Sequence, residues 1–65
     1  MVDGEKIRIL REEKNLTQGE LGEAAGLSAV MLSYIERGIK DPSVASLTLL
    51  AKELGVEVGE LIAAP

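Results

Sequence analysis

The sequence contains no cysteine and no histidine. The chain therefore cannot form a disulfide, and it lacks a thiol nucleophile, an imidazole base and the two commonest protein ligands of zinc. Aromatic residues are almost absent, because Tyr34 stands alone and neither Phe nor Trp occurs. We expect no metal site and no cofactor, and a core built from aliphatic side chains.

Long apolar runs are missing as well. No run approaches the roughly 20 residues that a membrane-spanning helix needs. Residues 1–5 do not combine a basic region with an apolar stretch, as a secretory signal would. These absences predict a cytoplasmic protein without a membrane partner, associated with the nucleoid if its source is bacterial.

Groups suited to catalysis are scarce in a chain of 65 residues. A domain this small buries only about 60% of the surface that its unfolded form exposes. Glu20 and Glu23 fall on one helix face, but the sequence offers no evident pocket that would enclose them. We interpret these acids as solvated surface and predict neither an enzyme nor a small-molecule substrate.

The composition favours one folded domain over residues 1–65. Hydrophobic residues make up 46% of the chain and charged residues 28%, which is typical of a globular domain rather than of a disordered tail. Hydrophobic periodicity and stop signals divide the sequence into about five short helices, without the alternation typical of strands. The predicted fold class is all-α, a compact bundle of about five short helices.

Start and stop signals also place the first, fourth and fifth predicted helices. The first is expected near residues 5–14, with Asn15 as its terminator. The fourth opens at residues 41–43, with either the proline at its first position or the serine as its cap, and ends at Gly55. A weak fifth helix is expected near residues 58–63, because its start lacks a good cap.

The second and third helices carry the sharpest start signals. Thr17 can cap the second helix, Glu20 three residues later can complete a capping box, and Gly26 supplies the positive φ that ends the helix. Ser28 can cap the third helix in the same way, and this helix ends before Gly38. Both helices are therefore well defined by local sequence.

Together these two helices form the predicted helix-turn-helix unit, residues 17–37. About three residues centred on Gly26 join them, and a connection that short makes the helices cross steeply and leaves the third exposed along one side. An α-helix has the diameter to enter the major groove of DNA, which is about 12 Å wide. We expect residues 28–37 to protrude in this way.

Four short motifs follow one another with a fixed spacing: Leu16-Thr17-Gln18-x-Glu20-Leu21, Gly26-Leu27-Ser28, Ile35-Glu36-Arg37-Gly38 and Pro42-Ser43. In this order they resemble the phage-repressor (Cro-like, xenobiotic-response-element) helix-turn-helix DNA-binding family, over about residues 5–62. The resemblance implies a lambda-repressor-like domain whose partner is double-stranded DNA and whose recognition helix lies near residues 28–37.

The resemblance also implies roles for individual positions of this chain. Arg11 and Glu36 match an ion pair of the family that links the first helix to the third. The residues that it implies against DNA bases are Ser28, Ala29, Val30, Ser33 and Tyr34, and those against phosphate are Thr17, Gln18, Arg37 and Lys40.

The third helix departs from the family pattern. Family members usually carry Arg, Gln, Ser, Thr or Lys at several of the base-facing positions, whereas this chain has Ala29, Val30 and Tyr34. An apolar side chain cannot hydrogen-bond a guanine edge, but it can pack on a thymine methyl group. A bidentate base contact is worth about 1–3 kcal/mol of discrimination. The third helix has no Arg, Gln or Asn before Arg37 that could make one. We expect a preference for thymine-containing steps and modest specificity.

The net charge of −4 opposes DNA binding, since a basic surface is its usual signature. Five of the eleven acids belong to the first and last predicted helices, away from the expected docking side; they are Glu5, Glu12, Glu13, Glu57 and Glu60. Arg37 and Lys40 follow the third helix directly. The sequence thus allows a locally positive docking face on an acidic domain, with weak, salt-sensitive binding.

Other interpretations remain open at this point. Ala29, Val30, Met31 and Tyr34 could form an apolar patch for a protein partner on the same fold, although Met31 could equally belong to the core. The chain could be a transcriptional regulator or an engineered DNA-binding domain. Repression would imply a homodimer, since two half-sites need two recognition helices, and the resemblance places the contact near residues 58–64, with Leu61 and Ile62.

Overall fold

A side chain caps the start of each of the four α-helices. In this computed structural model, which describes residues 1–63, α1 spans Gly4–Glu13, α2 Gln18–Ala24, α3 Ala29–Glu36 and α4 Val44–Leu54. The capping side chains are Asp3, Thr17, Ser28 and Ser43, each of which accepts a hydrogen bond from a backbone N–H three residues later. Each cap satisfies a backbone donor that the first helical turn leaves without a partner.

The predicted all-α bundle is confirmed, with a small difference in its helix count. The expected fifth helix is a four-residue 3-10 helix, Val58–Leu61. Its cap residue provides no side-chain cap, and Gly59 lowers helix propensity in its first turn. The 3-10 helix therefore makes one tight turn and ends at residue 61 rather than at residue 63.

Residues with positive φ angles follow the ends of the four α-helices, where the sequence predicts helix terminators. Asn15, Gly26, Gly38 and Gly55 all adopt left-handed conformations, with φ between 58° and 77°. Asn tolerates this region better than other residues with a side chain. The predicted helix terminators are thus confirmed.

Aliphatic side chains build the core. Six are almost fully enclosed: Ile7, Leu21, Leu32, Ile35, Leu50 and Leu61. Each contributes on the order of 1.5–3 kcal/mol of hydrophobic stabilisation. Tyr34, the one aromatic residue, is half-buried and lies outside this core.

The two ends of the described chain pair with each other. The Asp3 N–H donates to the Leu61 carbonyl at 2.7 Å, and the Ala63 N–H donates to the Met1 carbonyl at 2.9 Å, on either side of an isolated antiparallel bridge. Leu61 is buried, so it does not belong to a surface where copies could meet, whereas Ile62 is 41% exposed. Ala64, the last residue of the predicted dimer segment, lies outside the described residues.

Every helix within residues 1–63 is too short or too polar to cross a membrane.

Candidate functional site

The third helix of the bundle, α3, presents one side to the interior and the other to solvent. Leu32, Ile35 and Glu36 are buried on the inner side, where α3 packs on α2 and α1. On the outer side Ala29 is exposed and Val30 is 62% exposed. No other part of residues 1–63 covers this side, which agrees with the predicted protrusion of the recognition helix.

Gly22 sets the position of α3 relative to α2. A Cβ atom at this residue would lie 2.6 Å from the Leu27 carbonyl oxygen and 3.3 Å from that of Ser28. The close contact is made by the turn that leads into α3, so a glycine at position 22 allows that turn to fold back tightly on α2.

A buried ion pair fixes the inner side of α3. Arg11 Nε and Nη2 donate to the two Glu36 carboxylate oxygens at 2.7 and 3.1 Å, and the side chains are only 11% and 2% exposed. Arg11 Nη1 also donates to the Leu16 carbonyl at 2.8 Å. The hydrogen bond from Arg11 to Glu36 raises the pKa of the guanidinium above its ordinary value. The pair thus links α1, the loop before α2 and α3.

Gln18 also contacts this ion pair. The sequence does not predict this additional contact. Its Nε2 donates to Glu36 Oε1 at 3.1 Å. The two residues are 18 positions apart and belong to different helices, so no local pattern could have shown the contact. The bond ties the first side chain of α2 to the end of α3.

Tyr34, Arg37 and Lys40 form a second group at the end of α3. The Arg37 guanidinium lies 5.2 Å from the centroid of the Tyr34 ring, and Lys40 Nζ lies 6.0 Å from it. Arg37 Nε also donates weakly to the Ser33 carbonyl at 3.4 Å. Cation–π contacts at exposed sites are worth about 0.5–1 kcal/mol. Both cations are exposed and held near one aromatic ring.

An open depression of about 310 Å³ brings most of the predicted contact residues together. It is lined by Gln18, Ala29, Val30, Ser33, Tyr34 and Arg37. Thr17, Ser28 and Lys40 do not line it. The first two use their hydroxyl oxygens as helix caps, and both remain exposed.

The apolar patch suggested by the sequence is smaller than its four residues. Met31 is half-buried and packs against the core, and Tyr34 is half-buried beneath the two cations. Of these four residues, only Ala29 and Val30 offer an exposed apolar surface. An interface for a protein partner would therefore have little apolar area on this side of α3.

Two exposed cations and one exposed acid directly follow α3 in the chain. The charge of Glu36 is matched by Arg11, which leaves Arg37 and Lys40 as exposed cations. Asp41 follows Lys40 and accepts a hydrogen bond from the Val2 N–H at 3.3 Å. Negative charge on α1 is partly compensated, since Arg8 pairs with Glu12 at 3.0 Å.

Several protein relatives match most of this chain. The immunity repressor protein of Bacillus phage phi105 is 39% identical over 62 residues, which cover 95% of this chain and 43% of the repressor. The uncharacterized HTH-type transcriptional regulator y4dJ of Sinorhizobium fredii is 44% identical over 59 residues, covering 91% of this chain and 77% of the regulator. The chain thus spans less than half the length of the phage repressor.

Solved structures match the fold as well. The P22 c2 repressor in complex with a synthetic operator superposes with a TM-score of 0.91 at 31% identity, covering all of this chain and 98% of that one. SinR, a master regulator for biofilm formation solved in complex with DNA, gives a TM-score of 0.77 at 37% identity, covering 86% of this chain and 90% of SinR.

The family model described as helix-turn-helix matches residues 7–61, which include all four α-helices from the second turn of α1 onward. This chain therefore belongs to the helix-turn-helix family.

Proposed function

We propose that this chain binds double-stranded DNA sequence-specifically, with α3 in the major groove, and that it is the DNA-binding part of a transcriptional regulator. The observation that carries the proposal is the uncovered outer side of α3, bordered by Gln18 and by the cations Arg37 and Lys40. A helix of this width fits the groove. The relatives include a phage immunity repressor, and two similar structures hold operator or other DNA.

Within this proposal the residues divide by their chemistry. Arg37 and Lys40 carry the charge that phosphates attract, and the neutral polar groups of Thr17 and Gln18 lie at the start of α2. We assign these four to the DNA backbone. The side chains that we assign to base edges are Ser28, Ala29, Val30, Ser33 and Tyr34.

A site made of two half-sites would need two copies of this domain. Its longest extent is 29 Å, whereas half-sites read by paired recognition helices lie about 34–36 Å apart. One copy therefore cannot reach both half-sites. We infer that two copies bind a repeated site, and that the domain acts by binding alone, which its similarity to helix-turn-helix transcriptional regulators supports.

Charge reversal tests the proposal. Binding of a duplex library is measured for the wild-type protein and for a double variant that combines Arg37→Glu with Lys40→Glu. The matched control is Lys14→Glu with Lys52→Glu, since these lysines are also exposed. Each reversal changes the charge by 2, so both double variants shift it from −4 to −8.

We expect the first double variant to lose duplex binding and the control to retain most of it. Equal losses would mean that binding reflects net charge alone. If the wild-type protein enriches no duplex at all, the proposal is wrong, and the exposed surface of Ala29 and Val30 becomes the candidate contact for a protein partner.

A further inference from the structure

Tyr34, the only aromatic residue of the chain, does not belong to the aliphatic core. Its ring is half-buried and lies against positive charge instead. The Arg37 guanidinium lies over the ring, 5.2 Å from its centroid, and Lys40 Nζ lies at 6.0 Å, near the outer limit of a cation–π contact. The negatively polarised face of the ring attracts such cations. One ring thus gathers both cations that follow α3.

The backbone of Tyr34 closes the same segment of the chain. Its carbonyl oxygen accepts a hydrogen bond from the Ile39 N–H at 2.9 Å and a longer one from the Lys40 N–H at 3.4 Å. The chain can turn back in this way because Gly38 adopts a positive φ of 77°. The main chain and the side chain of one residue therefore both act on residues 37–40.

Within residues 1–63 neither of these two cations pairs with a carboxylate. Each ion pair there involves Arg8 or Arg11, and Asp41 accepts a hydrogen bond from the Val2 backbone. Two like charges beside one ring repel each other, and an anion from outside the chain relieves that repulsion. A DNA phosphate is the anion that the proposed function supplies.

The contact with the ring leaves the hydrogen-bonding edge of Arg37 available. A guanidinium group uses its flat face for a cation–π contact, whereas its N–H donors lie in the plane of the group. Arg37 Nε donates weakly to the Ser33 carbonyl at 3.4 Å, and within residues 1–63 neither Nη atom has an acceptor. A phosphate can therefore accept from both Nη atoms while the ring still holds the guanidinium.

We propose that Tyr34 is a positioning residue for DNA binding. Its ring holds Arg37, and more weakly Lys40, in place for the phosphates, so that less side-chain freedom is lost when the duplex binds. This role belongs to the ring and does not depend on a contact between the Tyr34 hydroxyl group and a base. The inference rests on the proposed DNA binding.

Two substitutions separate the ring from the hydroxyl group. Tyr34→Phe keeps the ring, whereas Tyr34→Leu replaces it by an aliphatic side chain. The position lies outside the core, so both variants are expected to fold. The Kd of a duplex selected with the wild-type protein is measured for each variant. We expect Tyr34→Leu to bind about two- to fivefold more weakly than Tyr34→Phe, as for the loss of one exposed cation–π contact.

Fluorination of the ring tests the electrostatic origin of this difference. The chain has no Phe of its own, so growth of the Tyr34→Phe variant on mono-, di- or trifluorophenylalanine labels one position alone. Fluorine atoms make the ring face less negative while the ring keeps its shape, so the Kd should rise with each step of the series. The matched control is Leu49→Phe with the same analogues, at a 42% exposed residue of α4. Its Kd should stay constant.

Proton NMR of the free protein checks the contact in the absence of DNA. The ring should shift the side-chain protons of Arg37 upfield in the wild-type protein and in Tyr34→Phe. Tyr34→Leu should lose that shift. An equal spectrum of these protons in all three proteins would show that the ring does not hold the guanidinium.

The outcomes separate this inference from the proposed function. If the duplex is bound but Tyr34→Phe and Tyr34→Leu have equal Kd values, or if fluorination leaves the Kd unchanged, the positioning role is wrong and DNA binding stands. Tighter binding by Tyr34→Leu also overturns the role, because the ring would then keep the cations away from the phosphates. If the wild-type protein enriches no duplex, both proposals fail together.

Discussion

Single residues decide how closely the helices of this domain approach. At Gly4 a Cβ atom would overlap the Ile35 carbonyl oxygen and lie 2.7 Å from that of Glu36, so α1 meets the end of α3 through bare backbone. Gly19 is different, because the nearest atom to its Cβ position is Thr17 Oγ1 at 3.8 Å. The fold requires a glycine at the first position and not at the second.

Replacing these glycines by alanine should therefore have opposite effects. Gly4→Ala is expected to lower the free energy of unfolding by about 1–3 kcal/mol, since the methyl group displaces α3. Gly19→Ala is expected to raise it by about 0.5–1 kcal/mol, because alanine favours the helix. Urea denaturation measures both. A Gly4→Ala variant as stable as the wild type would show that α1 and α3 do not pack as closely as described.

The ion pair between Arg11 and Glu36 gives a second prediction for single residues. Arg11→Met leaves the Glu36 carboxylate, 2% exposed, without its charged partner, and should cost about 3–5 kcal/mol. Adding Glu36→Leu removes the unpaired charge and should recover part of that loss, as a double-mutant cycle in urea would measure. A single variant that costs less than about 1 kcal/mol would contradict the buried ion pair.

The ionisation of Arg11 should make little contribution to the pH dependence of stability near neutrality. The pKa of Arg11 is raised in the folded state by its hydrogen bond to Glu36. A raised pKa means that the stabilisation is complete below the unfolded value and is lost only as the pH rises through the folded one. For arginine that window lies in strong alkali.

Local signals account for the elements of this fold. Thr17, Ser28 and Gly26 are the cap and turn residues expected from the sequence, because capping depends on residues within three positions of one another. The cap at Asp3 is the exception, because α1 begins at Gly4, one residue before the start expected near Glu5.

Contacts between elements far apart in the chain could not be predicted from the sequence pattern, and the family resemblance supplied the ion pair between Arg11 and Glu36. The bond from Gln18 to Glu36 and the bridge between Val2 and Ile62 depend on how the helices pack. No spacing in the sequence encodes that packing. The candidate site was therefore predictable as a set of residues through a family resemblance, but not in the geometry of its depression.

Two helix caps allow stability and binding to be separated at the level of elements. Ser28 and Ser43 each accept a hydrogen bond at the start of a helix, from Met31 N and Ser46 N. Each change to alanine should cost about 1 kcal/mol of stability. Only Ser28→Ala is expected to weaken duplex binding as well, because its helix is the one proposed to enter the groove.

Thermal unfolding and duplex titration measure the two effects. If Ser28→Ala and Ser43→Ala weaken binding equally, α3 has no special role beyond its contribution to the fold.

The charge of the whole molecule constrains how it binds DNA. The net charge is −4, so we expect the proposed phosphate contacts Arg37 and Lys40 to supply the attraction, since Thr17 and Gln18 are neutral. Two neutralised phosphates predict a slope of log K against log salt concentration of about −2 for each bound copy, and about −4 for a dimer.

Titration of a selected duplex across a range of salt concentrations gives this slope. Arg37→Gln with Lys40→Gln should bring it near zero, whereas Lys14→Gln with Lys52→Gln should leave it unchanged. A slope far steeper than about −4 for two copies would show that other basic residues contact the phosphates.

The central claim, that the outer side of α3 faces the DNA, has a direct test because the chain has no cysteine. Ala29→Cys places a single thiol on that side, and Glu53→Cys places one on the exposed surface of α4. The rate of maleimide labelling of each thiol is measured with and without a saturating selected duplex. We predict that the duplex protects the thiol at position 29 and leaves the one at position 53 as reactive as before. A thiol at position 29 that reacts equally fast in the DNA complex would contradict this account.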